Sequence, residues 1–367
     1  MATDAKNRNR PFRAVRPGEI LEDELDARCW TQGDFAEIIG RPVQAINEIV
    51  AGKKAITPET ALLFSRALGT TAEFWLNLEA AYRLDLLHKG GKDGDQVARK
   101  ALLYSIAPVR ELTKRNWIRR TKNIEELERE VCSFYGIASP GEQPKISANF
   151  RRSDAGVADA PSLLAWVRKA ELEAGRLDCR PFDSGRLRAS INELPAYSSD
   201  ERKASVIQGT LCDFGIRLVF VAHLPRTRVD GAAFWLDKSS PVIAMSLRLD
   251  RIDNFWFTLM HELLHIIEGS KNATGYLDQD IANEPETEVE RRVNQKARDL
   301  LIPRTRFDAF VKKTRPFFSR AAVLAFALEL GIHPAIVVGR LQHEKLIPFT
   351  NLRNLLGKAS PLLVGRK

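Results

Sequence analysis

The sequence predicts an α+β protein, mainly α: five short helices first, a helical middle region, then a small antiparallel sheet packed on a second set of helices. Three observations predict it. From Pro17 to Leu84 apolar residues recur at three-to-four spacing, the period of a helix with one buried face. Between Ile216 and Ser246 the period changes to short β-branched and aromatic runs separated by Pro, Gly, Asp and Ser. From Phe255 onward helical spacing returns.

Length and composition set the outer limits. At 367 residues the chain is too long for one ordinary core and implies about two or three domains. Hydrophobic residues at 44% and charged residues at 28% are globular proportions, which exclude a disordered polymer, a collagen-like fibre and a small disulfide scaffold. No stretch reaches the roughly 18 uninterrupted apolar residues of a membrane span. The opening residues also lack the apolar core of a secretory signal. A cytoplasmic protein with no membrane partner is expected. Cys29, Cys132, Cys179 and Cys212 are scattered and form no CxxC pair, so reduced thiols are expected and a zinc knuckle is not.

The net charge of +9 permits a polyanionic partner, and its distribution is uneven. An N-terminal arm carries Lys6, Arg8, Arg10, Arg13 and Arg16 against Asp4 alone. A second cluster, Arg110 to Lys122, sets six cations against Glu111, and a third runs from Arg304 to Arg320. The second and third read equally well as solvated helix faces. The arm directly precedes a DNA-reading pattern, and arms so placed reach into a minor groove.

Pro17 favours the first turn of a helix over Ile20, Leu21 and Leu25. Thr31 is a good N-cap for a second, with Phe35, Ile38 and Ile39 inside, and Gly40 stops it. Pro42 starts a third, which turns Ile46, Ile49 and Val50 inward and ends at Gly52. Thr57-Pro58 opens a fourth over Ala61, Leu62, Phe64 and Leu68, closed by Gly69. A fifth runs from Thr71 through Phe74, Trp75, Leu78 and Tyr82. Residues 1–88 thus form the arm and first domain, and Lys89 to Gly94 (KGGKDG) reads as a linker. Residues 95–213 read as a helical middle region. Residues 214–367 hold strands at Ile216–Ala222, Gly231–Leu236 and Pro241–Ser246, followed by helices.

A Gly-containing turn between the second and third of five short helices is helix-turn-helix spacing. In that arrangement the third helix enters the major groove. With its apolar side turned in, Arg41, Gln44 and Asn47 face out, and Gln or Asn can read an adenine edge. Gln32 at the start of the second helix, with Lys53 and Lys54 after the third, is placed for phosphates. The expected partner is operator DNA, an inverted repeat bound by a homodimer.

The chemistry sits just after the strands, in Phe255-Trp-Phe-Thr-Leu-Met-His-Glu-Leu-Leu-His. His261, Glu262 and His265 form HExxH on an apolar helix, which puts both imidazoles on one face a turn apart, as two ligands of a tetrahedral Zn2+. Glu262 beside them can act as the base toward an attacking water and pass its proton to the leaving amine. Glu284, Glu286, Glu288 and Glu290 all offer a third ligand. Glu290 is best placed, being inside the following helix beside its apolar Val289, Val293, Ala297 and Leu300. The strand Pro241–Ser246 is read either as an open edge where an extended peptide pairs, the favoured reading, or as an internal strand of the core. Of the other histidines, His333 is the one worth testing as a further active-site group.

Residues 17 to 84 resemble the HigA-type antitoxins, a branch of the Xre-like helix-turn-helix repressors. Residues from about 214 to 305 resemble the ImmA/IrrE metallopeptidases, through DNFWFTLMHELLH and VERRVNQKARDLLIP. The later GIHPAIVVGRLQHEKLI is similar to the tail of fused HigA-peptidase proteins. In that pattern Glu290 matches the metal-binding Glu, Asn294 the Asn, and Leu301-Ile-Pro the end. Arg292 stands where a second Glu is common, Lys296 where Phe is common, and Leu264 where Gly is common. The resemblance implies a transcriptional regulator of antitoxin type whose zinc endopeptidase cuts a repressor or other protein partner, a toxin-system protein among them. Two alternatives stand beside it. One is a non-enzymatic antitoxin-repressor that neutralises a toxin and uses its metal structurally or as a sensor. The other is a zinc hydrolase of small molecules whose helical domain binds protein. An intact Glu262 favours the endopeptidase, because a structural zinc needs no base.

Overall fold

The computed structural model describes residues 14–90, 93–142, 148–152, 160–268 and 288–363. Arm residues Lys6 to Arg13 and the candidate ligands Glu284 and Glu286 lie outside them. The chain divides into two compact units, 1–99 and 100–367.

The first unit is the expected run of short helices: α1 (Pro17–Asp26), α2 (Gln32–Ile38), α3 (Val43–Val50), α4 (Pro58–Leu68) and α5 (Ala72–Gly90). Local chemistry sets their ends. Thr31 accepts the Asp34 N–H at 3.1 Å while the Asp34 carboxylate accepts the Thr31 N–H at 2.8 Å, a closed capping box. Thr57 caps α4, and Gly69 ends it in the left-handed region. Gly40, at φ +64°, makes the turn between α2 and α3, a conformation open to glycine at little cost. The core gathers Leu21, Leu25, Phe35, Ile46, Ile49, Phe64 and Trp75. Phe64 stands edge-on to both Phe35 and Trp75, at 5.1 and 5.2 Å.

Ile38 and Leu62, expected inside, point outward, 50% and 51% exposed, and Phe74 is 41% exposed. Each adjoins a buried residue in sequence, and one helical step of about 100° carries it off the core face. Of the stretch read as a linker, residues 89–90 close α5 and 93–94 open α6 (Asp93–Ile106), with 91–92 outside the described residues.

The second unit continues from α6 through α7 (Val109–Lys114), α8 (Ile124–Tyr135), β1 (Ala148–Arg152), α9 (Ala160–Ala174), α10 (Ser184–Ser190), α11 (Glu201–Ser205) and α12 (Ile207–Asp213). Then come β2 (Arg217–Phe220), β3 (Val229–Trp235), β4 (Pro241–Met245) and the central helix α13 (Ile252–Ile267). It ends with α14 (Glu288–Leu301), α15 (Arg304–Thr314), α16 (Arg320–Leu330), α17 (Pro334–His343) and α18 (Ser360–Leu363).

The sheet has four strands in the order β1-β3-β4-β2. Alternate residues serve two cores. Leu218, Ala233, Ile243 and Met245 pack with α13, while Val219, Ala232, Phe234, Val242 and Ala244 pack with α7, α8 and α9. A sheet covered on both faces needs continuous apolar runs, and β4 is buried at every position. β1 was not legible as a strand, since Ala-Asn-Phe-Arg-Arg lacks β-branched residues.

Two expectations about the sheet are corrected. It is mixed, because β2 runs parallel to β4 while β3 is antiparallel to both β4 and β1. The β2–β3 connection crosses over the position that β4 fills. For the same reason β4 is interior, its two edges paired to β3 and β2, so it offers no open edge to a peptide. The cysteines are corrected too. Cys179 and Cys212, 33 residues apart, are joined by a disulfide, while Cys29 and Cys132 are free. Backbone bonds from Arg180 N–H to Cys212 O (3.2 Å) and from Asp183 N–H to Phe214 O (3.1 Å) lay the two segments side by side. Nothing in the local spacing announced that meeting. Among the described residues no single helix is long and apolar enough to cross a membrane.

Candidate metal centre and DNA-reading surface

α13 is apolar on nearly every side because it is packed on nearly every side, by β3 and β4 and by α14 and α17. Its polar residues therefore sit in a setting where each must be accounted for. His261 is 1% exposed, Glu262 1% and His265 6%. The two imidazoles face each other a turn apart, Nε2 to Nε2 at 3.0 Å. From the first turn of α14, Glu290 reaches both: Oε2 to His261 Nε2 at 3.3 Å and Oε1 to His265 Nε2 at 3.2 Å. All three offer a donor atom within 4.8 Å of the others.

This set suits a small cation. Zinc bonds of about 2.0–2.1 Å in a tetrahedron place ligand atoms roughly 3.3–3.4 Å apart, close to the spacing seen. The two nitrogens and one carboxylate are the donor chemistry of a zinc site with a position left over, and the Glu290 side chain is 37% exposed. One departure is His261 Nδ1, which is buried without a hydrogen-bond partner. Metal-ligating histidines normally fix that nitrogen with a carbonyl or carboxylate.

The electrostatics fit the geometry. Burial works against the Glu290 charge, but hydrogen bonds from His261 and His265 hold its carboxyl far below the usual range. Burial likewise works against a charged His265, yet the hydrogen bond to Glu290 and the nearby charge of Glu262 raise its pKa. Without metal, the raised pKa of His265 favours a proton in the place a cation would take. Glu262, on the turn between the histidines, contributes to that field from its buried position.

The remaining expectations sort as follows. Glu288 is exposed and stands outside the cluster. Val289, expected on the inner face of α14, is 47% exposed, and Val293, Ala297 and Leu301 form that face instead. His333 has a structural role: its Nδ1 accepts the Ala335 N–H at 3.1 Å and caps α17, with burial pushing its pKa down.

On the first unit, α3 turns Ile46 and Ile49 into the core and leaves Arg41, Gln44 and Asn47 exposed at or beside its N-terminal half. Gln44 Nε2 donates to Glu48 Oε1 at 3.1 Å, which holds the amide along the helix. Arg41 lies 3.6 Å from Glu59. Lys53 and Lys54 are exposed after α3, and Gln32 is half-buried at the start of α2. Sequence reasoning missed the groups that fix α14 against its neighbours. Glu268 meets Arg292 and Lys296, and buried Arg340 of α17 meets Asp299 at 3.2 Å and the Arg298 carbonyl at 2.7 Å. These pairs join distant segments, so no spacing rule marks them.

A helix-turn-helix module and an IrrE-like module share one chain. Residues 21–75 match the helix-turn-helix family model, and residues 213–329 match the IrrE N-terminal-like domain. The HTH-type transcriptional regulator YddM of Escherichia coli is 33% identical over 69 residues, which is 19% of this chain and 73% of the relative. Virulence-associated protein I of Dichelobacter nodosus is 38% identical over 74 residues, 20% of this chain and 68% of the relative. Two solved structures are also similar. An addiction module antidote protein of the HigA family from Coxiella burnetii is 38% identical, spanning 22% of this chain and 90% of that one, with a TM-score of 0.21. Antitoxin HigA of Pseudomonas aeruginosa with the higBA promoter is 30% identical, spanning 23% of this chain and 91% of that one, with a TM-score of 0.22. The chain belongs to the Xre-like helix-turn-helix family and carries an IrrE-like domain in its second unit.

Proposed function

We propose that the protein is a DNA-binding regulator of antitoxin type whose IrrE-like unit is a zinc-dependent endopeptidase. The observation that carries the reading is the meeting of His261, His265 and Glu290 with Glu262 on the same buried helix. His261, His265 and Glu290 would hold the zinc. Zinc bound there supplies Lewis acidity toward the scissile carbonyl and makes water more acidic. Glu262 takes the proton of the attacking water and returns it to the leaving amine. Around it, buried Leu259, Leu263 and Ile266 keep the neighbourhood of these groups apolar, which strengthens each charge interaction.

The first unit acts as a homodimer on operator DNA, with Arg41, Gln44 and Asn47 toward bases and Gln32, Lys53 and Lys54 toward phosphates. The protein works in the cytoplasm, and its target is an unstructured segment of a repressor or toxin-system protein. The burial of Glu262 favours a second reading, in which the site only holds or senses metal and the chain neutralises a toxin without cutting. A Glu262→Gln strain separates them. The endopeptidase reading expects the operon to stay repressed under conditions that induce wild type. Derepression as complete as in wild type would leave the non-enzymatic reading standing.

A further inference from the structure

We infer that Glu268, at the C-terminal end of α13, is a positioning residue that sets the aim of Glu290 by gripping Arg292 and Lys296 of α14. The inference rests on the metal reading above and concerns how this chain holds its third ligand.

Glu268 closes α13, its backbone N–H donating to Leu264 O at 2.8 Å. Its side chain is 18% exposed and accepts Arg292 Nη2 on Oε2 at 2.9 Å and Lys296 Nζ on Oε1 at 2.6 Å. An acid at a helix C terminus faces the negative end of the helix dipole, so it does nothing for α13 by itself. Burial also opposes its charge, yet the hydrogen bonds from Lys296 and Arg292 hold its carboxyl below the usual range. A costly carboxylate is thus kept ionised by two cations from the helix that carries Glu290.

The geometry says what the grip is for. Among the described residues, Glu290 lies in the first turn of α14 (Glu288–Leu301), ahead of the two turns that carry Val293 and Ala297. Its direction depends on how those two turns are held. Val293 and Ala297 are fully buried and hold one side. An apolar face fixes distance better than rotation, because contacts without direction tolerate a small roll about the helix axis. At about 100° per residue, Arg292 and Lys296 lie on a flank roughly 120–160° round the helix from Glu290. Two charge-assisted hydrogen bonds on that flank oppose a roll. A roll of about 10° would move a carboxylate at the helix surface by about 1 Å. Ligand bonds tolerate only about 0.2 Å, so that much roll would take Glu290 out of the set.

The test is zinc affinity of the full chain, read by competition with a chromophoric chelator, together with the absorption bands of the cobalt(II)-loaded protein. Glu268→Gln, and separately Arg292→Gln with Lys296→Gln, should each weaken zinc about 10–100-fold and shift the cobalt bands. The charge-swapped protein, Glu268→Lys with Arg292→Glu and Lys296→Glu, should recover to within about threefold of wild type, which mere loss of stability would not. Folded variants, checked by circular dichroism, that bind zinc as wild type does would overturn the positioning role and leave the metal reading intact. Wild type that binds no zinc would overturn both.

Discussion

His265 and Glu290 meet at 3.2 Å, Nε2 to Oε1, although they sit on different helices and one is nearly buried while the other is 37% exposed. The pair is strongest with a positive charge between its members. In the metal-free protein the raised pKa of His265 favours a proton there, and in the metal-loaded protein that charge would be the ion. Proton and metal therefore compete for one place.

A pH dependence follows. The pKa of His265 in the metal-free fold is raised above its ordinary value. Its pairing thus stabilises the metal-free protein below about pH 6.5 and is lost as pH rises through the raised value. Zinc needs the neutral imidazole, so zinc affinity should rise through the same window. Zinc competition and thermal unfolding at stepped pH should move in opposite directions as pH rises from the ordinary histidine value of about 6.5 through the raised one, and Glu290→Gln should flatten both. A zinc affinity constant across that range would remove the competition.

DNA reading gives a second prediction. Gln44→Ala and Asn47→Ala should each cost about 1–3 kcal/mol at particular base pairs, while Lys53→Ala should weaken all sequences alike and lower the salt dependence. Gel shifts on the promoter region of the protein's own gene, at two salt concentrations, distinguish the two patterns. Unchanged affinity in the Gln44→Ala, Asn47→Ala double variant would remove α3 from the groove.

Packing in the first unit gives a third. A Cβ on Gly18 would stand 2.2 Å from the Val50 carbonyl oxygen, so α1 and α3 approach as closely as they do only because position 18 lacks a side chain. Gly18→Ala should destabilise that unit by about 1–3 kcal/mol, through forced separation of backbone from backbone. Gly209 in α12 has nothing within 4 Å of its added Cβ. Gly209→Ala should stabilise the second unit by about 0.5–1 kcal/mol. Amide exchange resolved by unit would show both effects, and a Gly18→Ala protein as protected as wild type would contradict the packing.

Much of this was legible in the sequence where the signal is local. Thr31, Thr57, Gly40 and Gly69 announce the helix ends, because capping and left-handed turns depend on a few adjacent residues. HExxH announces two imidazoles on one face, since four residues make one turn. What failed is non-local. The place of β4 between β3 and β2 depends on which strand crosses over, and five buried residues in a row cannot report that. The Cys179–Cys212 bridge and the Glu268–Lys296 pair join segments with no shared period. Ile38 and Leu62 show a finer limit: an apolar residue one step from a core residue can face out, where it is open to a partner or to DNA.

The most direct test of the account is the zinc content of gently purified protein, measured by native mass spectrometry on wild type and three variants. One zinc per chain is expected in wild type and in Glu262→Gln, with none in His261→Ala and a strong loss in Glu290→Ala. A wild-type chain that carries no zinc and takes up none when zinc is added would contradict the account at its centre.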